Sequence, residues 1–267
     1  MQAIVFAEGG SLRLRPLTEH LPTCLVPVGG TPILDHQIQT LLRLGVGSIT
    51  VVGGYRAAQV EQACRHYVGV LFRVNPRFSR AEPLRSSLLA AAPEPGCPVL
   101  LVRGDLVFDE GMVRALLTAR TKDAHLVGPS GRGIGLCRIS GETAKTLLAE
   151  SGTPAAGGEP ELFPWVEGYL AAHGGEALGT GERPWARVSS LEDLARALKA
   201  GRESQQARVA EAKDRFLGER PPPQEAEEAI PLYSDHETVP QASSPRRHQA
   251  PGGSTVISRS LLRVFPR

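Results

Sequence analysis

The chain has 267 residues, 41% of them hydrophobic, a formal net charge of +2 and four cysteines. That is apolar material for one large or two small cores, and too little net charge for a nucleic-acid footprint or an acidic tail. Cys24, Cys64, Cys97 and Cys137 lie far apart with no CxxC pair, which argues against a zinc site or disulfide framework and for a reducing, cytoplasmic setting. No apolar run approaches ~20 residues, so no transmembrane span is expected, and the opening residues do not read as a secretory leader.

In chain order, Ala3 to Phe6 is a short apolar strand that breaks at Glu8, Gly9, Gly10 and Ser11, with Arg13 and Arg15 directly behind. A buried strand emptying into such a loop gathers free backbone N–H groups and fixed positive charge, the chemistry of a phosphate cradle. The same string also reads as a plain turn. Pro27 to Pro32 is a turn, and Ile33 to Leu44 carries apolar residues at helical spacing with Gly45 as its stop. Ser48 to Val52 is a β-branched strand closed by Gly53, Gly54 and Tyr55. Ala57 to His66 is helical, and Val68 to Val74 is a third strand ending at Asn75 and Pro76. Leu84 to Ala92 is the next helix. Pro98 to Val102 is a continuous apolar run, as in a parallel strand covered on both faces, and it leads into Gly104 and Asp105. Glu110 to Ala119 is helical again. Strands and helices alternating through short links predict an α/β fold with a doubly wound, mostly parallel, Rossmann-like sheet.

Ala124 to Val127 and Ile134 to Ile139 read as strands, Gly141 to Glu150 as a helix, and Ser151 to Pro160 as a Gly/Ala/Pro loop. Leu162 to Ala172 is a helix whose Trp165 and Tyr169, four apart, suit core packing. Trp185 to Val188 is a last short strand, and Ser190 to Asp193 is a capping sequence opening a helix that runs to Lys199. Residues 1–200 thus make one domain. Residues 201–253 are a polar, Pro-rich linker that cannot bury enough surface to offset its ordering entropy, a disordered tail. Residues 254–267 turn apolar again with Arg259, Arg263 and Arg267 interleaved, either an amphipathic piece for a peripheral membrane or protein partner or a frayed end.

Phe6 to Thr18 reads F-A-E-G-G-S-L-R-L-R-P-L-T, and Pro22 to Val28 reads P-T-C-L-V-P-V. These strings resemble the sugar-phosphate and phosphocholine nucleotidylyltransferases, whose pattern is L-A-A-G-x-G-T-R-L-x-P-L-T followed by P-K-x-L-x-P-V. The likeness continues through Gly30 to Pro32, Val51 to Tyr55, Asn75 and Pro76, Ser87 and Leu88, Leu100 to Asp105, Trp185, and Glu192 to Leu194. It implies the nucleotide-diphospho-sugar transferase type of fold. It also implies a reaction in which a phosphate oxygen of a sugar 1-phosphate or an alcohol phosphate, such as phosphocholine or inositol phosphate, attacks the α-phosphorus of an NTP and pyrophosphate leaves. Such chemistry rests on positioning and charge neutralisation. By the resemblance, Ala7, Glu8, Gly9, Gly10, Ser11, Arg13 and Gly54 face the nucleotide. Arg13 steadies the triphosphate and the departing pyrophosphate, Asp105 holds Mg²⁺, and Gly104 lets the backbone turn so that this carboxylate reaches the phosphates.

The departures from the pattern fall at the chemistry. Ser11 replaces the second loop glycine, where a Cβ crowds the phosphate and a positive φ would be strained. Leu12 replaces a hydroxyl residue and Thr23 the lysine. In the family's W-x-E-I-D, Arg187 stands at the acid and Ser189 at the second metal ligand. One lost electrostatic contact to a transition state costs roughly 2.7–4 kcal/mol, so reduced or altered activity is expected. Arg15, Arg187 or Lys122 are candidates to restore the positive charge, and Asp109 or Asp123 the carboxylate. The alternative is a catalytically inactive nucleotide-binding or regulatory module of the same fold.

Overall fold

β1 (Gln2–Ala7) is buried along its whole length, and the fold is laid out around it. It lies between two parallel neighbours, β4 (Ser48–Gly53) and β6 (Val99–Arg103), with Ala7 opposite Gly53 and Phe6 opposite Arg103. These three strands therefore end at one edge. The computed structural model describes residues 1–78, 85–151 and 161–199. The expected linker at 201–253 and tail at 254–267 lie outside the described residues. The described residues all belong to a unit spanning Met1–Glu219; a second unit, Arg220–Arg267, lies outside them.

After the first loop, β2 (Pro27–Val28) and β3 (Thr31–Pro32) form a two-residue-long antiparallel hairpin where a bare turn was expected. α1 (Ile33–Arg43) follows and stops as expected at Gly45, whose φ of +80° is readily adopted without a Cβ. α2 (Ala57–Cys64) leads to β5 (Val70–Val74), parallel to β4 at the sheet edge. α3 (Arg85–Ala91) precedes β6. After β6 come β7 (Leu106–Phe108), α4 (Glu110–Leu117), β8 (Ala124–Val127), β9 (Gly133–Ile139), α5 (Gly141–Ser151) and α6 (Leu162–Ala172). β10 (Glu176–Gly179), β11 (Trp185–Arg187) and α7, over residues 191–199, complete the described chain.

The central sheet has seven strands in the order β10-β8-β9-β6-β1-β4-β5, and β9 alone runs against the rest. It is the doubly wound, mostly parallel sheet expected. β7 and β11 pair antiparallel as a separate ribbon, Trp185 opposite Phe108 and Arg187 opposite Leu106.

Side-chain alternation along β1 divides the core. Ala3, Val5 and Ala7 face a layer with Leu34, Ile38 and Leu41 of α1 and Val113 and Leu116 of α4. Ile4 and Phe6 face the opposite layer, with Leu88 of α3, Leu147 of α5, and Phe163 and Val166 of α6. Trp165 and Tyr169 pack half-buried against that second layer, as expected. A third, smaller core joins Leu14 and Val26, downstream of β1, to Val188 and to Leu194 of α7. It ties the loop after β1 to the segment after β11. Among the described residues no helix is long and apolar enough to cross a membrane.

Candidate active site

The chain leaves β1 toward β4 on one side and returns to β6 on the other, so the sheet order reverses between β1 and β6. Crevices at such reversals, beyond the C-terminal strand ends, are where α/β sheets bind ligands. A cleft of about 250 Å³ opens there. Of the residues expected to face nucleotide or metal, Ala7, Glu8, Gly9, Gly10, Ser11, Arg13 and Asp105 line it. Gly54 is not among the lining residues. It follows β4 and packs against Phe78, whose side chain would meet an added Cβ at 2.6 Å.

The first loop is less open to phosphate than its glycines imply. Ser11 has φ −72° and ψ 120°, ordinary extended backbone, so the positive-φ strain expected there is absent. The Ser11 amide donates to Thr23 Oγ1 at 3.0 Å, and the Thr23 amide donates to the Gly9 carbonyl at 3.1 Å. Thr23, in place of a lysine, thus occupies a loop N–H that could otherwise meet an anion. The Ser11 hydroxyl donates to the Ser189 carbonyl at 2.7 Å, fastening the loop to the segment after β11. The amides of Gly9 and Gly10 have no hydrogen-bond acceptor among the described residues, and both glycines are exposed. Gly10 has to lack a side chain, because a Cβ there would stand 2.5 Å from the Tyr55 ring. Arg13 is exposed at the cleft with no hydrogen bond or ion pair to its side chain among the described residues.

Asp105 sits in the tight turn between β6 and β7. Gly104 serves that turn by closeness rather than by an unusual φ: its amide donates to the Phe6 carbonyl at 3.0 Å, and a Cβ would fall 2.4 Å from the same oxygen. The buried Gln37 of α1 clamps the turn, donating from Nε2 to the carbonyls of Arg103 (2.8 Å) and Leu106 (2.6 Å). From the other side the Val188 amide donates to the Asp105 carbonyl at 2.8 Å.

The carboxylate so placed is flanked by two guanidinium groups. Arg103 Nε lies 3.1 Å from Oδ1, and Arg187 Nε donates to Oδ2 at 3.2 Å. The Arg103 contact is an ion pair by distance but not a hydrogen bond by angle, and Oδ1 is otherwise buried without a donor among the described residues. Of the candidates for the missing positive charge, Arg187 therefore lies in the cleft, whereas Arg15 and Lys122 do not line it. Neither candidate carboxylate is available. Asp109 caps α4 by accepting from the Gly111 amide at 2.8 Å, and Asp123 accepts from the Ser140 amide and the Thr143 hydroxyl at the start of α5. The Ser189 hydroxyl donates to Asp193 Oδ2 at 2.7 Å, so it too is engaged.

This donor set does not fit Mg²⁺ held by paired carboxylates. Both oxygens of Asp105 face arginines, the second acid is absent, and no three His, Cys, Asp or Glu residues among those described come together as a metal site.

Glu8 is the other acidic group lining the cleft. It is buried, accepting from Asn75 Nδ2 at 2.7 Å and from the Ser87 hydroxyl at 2.5 Å. Burial pushes its carboxyl up to about 7, against the opposing pull of those two hydrogen bonds. Sequence reasoning gave no role to Asn75, Ser87, Gln37, Arg103 or Phe163. Arg103 had a visible signal: it is the lone charge ending an otherwise apolar strand.

Several known proteins resemble this chain in sequence or fold. The chain is 27% identical over 159 residues to the CTP:phosphoglutamine cytidylyltransferase of Campylobacter jejuni, covering 57% of this chain and 63% of that one. It is 35% identical over 79 residues to the choline-phosphate cytidylyltransferase of Streptococcus pneumoniae, covering 30% of this chain and 34% of the relative. The chain thus spans less than two thirds of these curated relatives. The solved CTP:phosphocholine cytidylyltransferase of Streptococcus pneumoniae superposes with a TM-score of 0.60 at 20% identity, over 74% of this chain and 97% of that one, a likeness of fold. The MobA-like NTP transferase domain matches residues 3–212, a span holding the glycine loop, the Asp105 turn and the Arg187–Ser189 segment together; the chain belongs to that family.

Proposed function

We propose that the chain binds an NTP and a phosphorylated small molecule in this cleft and transfers the nucleotidyl group between them, more slowly than a site with the full set of charged groups. The carrying observation is that Gly9 and Gly10, whose amides have no acceptor among the described residues, Arg13 and Asp105 all line one cleft at the sheet's switch point in a chain of this family. In the reaction a phosphate oxygen of the acceptor bonds to the α-phosphorus, the bond from that phosphorus to the bridging oxygen breaks, and pyrophosphate leaves with the electron pair. The Gly9 and Gly10 amides suit the phosphate oxygens, and Arg13 suits the charge gathering on pyrophosphate. The names of relatives acting on phosphoglutamine and choline phosphate, and of others acting on glucose 1-phosphate and mannose 1-phosphate, support an alcohol or amide phosphate or a sugar 1-phosphate as the acceptor to try first, with CTP as the first nucleotide.

Nucleotidyltransferases of this kind generally use a divalent metal, but the groups around Asp105 do not fit one. With Thr23 in place of the lysine and the Ser11 amide occupied, the rate should fall by roughly 10²–10³ for each lost contact to the transition state. Four free cysteines suit a reducing compartment, here the cytoplasm.

A second reading, a nucleotide-binding module without turnover, is favoured by the pairing of Asp105 with two arginines. Pyrophosphate release from each NTP, with phosphocholine and glucose 1-phosphate as acceptors, separates the two. Release above the acceptor-free blank, abolished by Arg13→Ala, supports transfer. Nucleotide binding without any release leaves the module. Neither release nor binding removes both.

A further inference from the structure

Arg103 and Arg187 come from different elements, β6 and β11, and converge on one carboxylate from opposite sides. The fold makes room for the first of them. Arg103 lies mostly buried over the Phe163 ring, 5.3 Å from its centre, and Gly135 of β9 leaves space beside it. Gly135 has φ +87°, and a Cβ there would stand 2.8 Å from Arg103 Cδ. A residue that only balanced a surface charge would need no such accommodation.

Both arginines meet Asp105 through Nε, which leaves the outer nitrogens of each guanidinium free to point elsewhere. Among the described residues those of Arg103 have one weak partner, the exposed Glu161 at 3.4 Å. Those of Arg187 have no hydrogen bond among the described residues, and this side chain lines the cleft while 45% exposed. Asp105 thus works as a brace, holding the Nε edge of each guanidinium at the cleft, where Arg13 adds a third positive group. Glu8, lifted to about 7 by burial, contributes only part of a negative charge at neutral pH. Three guanidinium groups, those of Arg13, Arg103 and Arg187, line the cleft with the carboxyls of Asp105 and Glu8, and Glu167, whose carboxyl burial also raises, lies near Arg103 and Arg187. With two of the three carboxyls shifted toward the neutral form, the set disfavours a divalent cation and favours a chain of oxyanions, which planar guanidinium groups bind in pairs.

We propose that Arg103 and Arg187, braced by Asp105, form a metal-independent clamp for a di- or triphosphate chain, their guanidinium groups standing where a divalent cation would otherwise neutralise the phosphates. The inference rests on the nucleotide reading of the same cleft, but it concerns the charge that holds the phosphates rather than the transfer. A phosphate chain could come from an NTP or from free pyrophosphate, and a single phosphate from the acceptor.

Calorimetric titration of the full chain with CTP, GTP, UTP, ATP, pyrophosphate and phosphocholine, each in EDTA and again in Mg²⁺, tests the clamp. The expected result is binding of an NTP and of pyrophosphate whose Kd changes less than about twofold between EDTA and Mg²⁺, with phosphocholine weaker. Arg187→Ala should weaken both by about tenfold or more, and Arg187→Lys should recover only part, because an ammonium lacks the planar fork. Unchanged thermal melting of these variants shows that the loss is local. Binding that requires Mg²⁺, or native affinity in Arg187→Ala, overturns the clamp and leaves the nucleotide reading intact. Pyrophosphate binding in EDTA without binding of any NTP supports the clamp and removes the nucleotide reading. No binding of either under both conditions overturns both.

Discussion

Glu8 places a carboxyl group inside the fold behind the glycine loop, and both its oxygens are taken, by Asn75 and Ser87. Burial raises its folded pKa from 4.5 to about 7, so between those values the folded chain keeps a proton that the unfolded chain has released. Stability should therefore fall as pH rises through that window and level off above it, by roughly 3 kcal/mol in all. Glu8→Gln keeps an acceptor for Asn75 and offers a donor to Ser87 without titrating. Urea melts at pH 5 and pH 8 should show a flattened dependence and a variant more stable than the parent at pH 8. Parallel pH curves for the two proteins would show that Glu8 is not the group responsible. At this scale the sequence was legible where a residue acts through its own chemistry. Gly9, Gly10, Arg13 and Asp105, singled out from the loop's composition and the family pattern, line the cleft, whereas Gly54 does not, and Arg187 was picked out as standing in place of an acid. It was not legible where a residue acts through a partner far along the chain. Nothing local shows that Thr23 would cap the Ser11 amide, or that Arg103 would meet Arg187 across one carboxylate.

Among the elements, α1 has a duty beyond packing. Gln37, fully buried, holds the carbonyls on both sides of the Asp105 turn, while its own Oε1 has no hydrogen-bond partner among the described residues. Gln37→Leu leaves two carbonyls without that donor but also removes the orphan oxygen, so the net cost should be about 1–2 kcal/mol. The turn it releases carries Asp105, and NTP affinity should weaken along with stability. A variant that melts lower but binds an NTP with native affinity would confine Gln37 to the fold. Element positions were largely readable from periodicity and breakers: α6 spans Leu162–Ala172 as expected, and α1 ends at Gly45. β7, β10 and the β2–β3 hairpin were missed because three or four residues, or two, carry too little alternation to register. The reversed direction of β9 is set by pairing with β6 and β8, which no local pattern encodes.

For the molecule as a whole, the two layers either side of β1 predict how its thiols behave. Cys24, Cys64 and Cys137 are buried, and burial pushes the Cys64 thiol up to about 12 and raises the other two as well. Cys97 alone is partly exposed. An aromatic disulfide reagent should therefore titrate one thiol quickly in the native chain and all four in urea. Fast reaction of two or more in native buffer would contradict the packing described for the layers around β1.

The hydrogen bond from Ser11 to the Ser189 carbonyl joins positions 178 residues apart, and Arg187 reaches Asp105 across 82. Such closures are entropically costly and come late, once most of the chain between them has collapsed. On a ribosome, a growing chain that stops short of Arg187 has the glycine loop and Asp105 but lacks the opposite wall of the cleft. The two walls of the cleft therefore come together only near the completion of this segment, and a fragment ending before Arg187 should melt without the cooperativity of the whole domain.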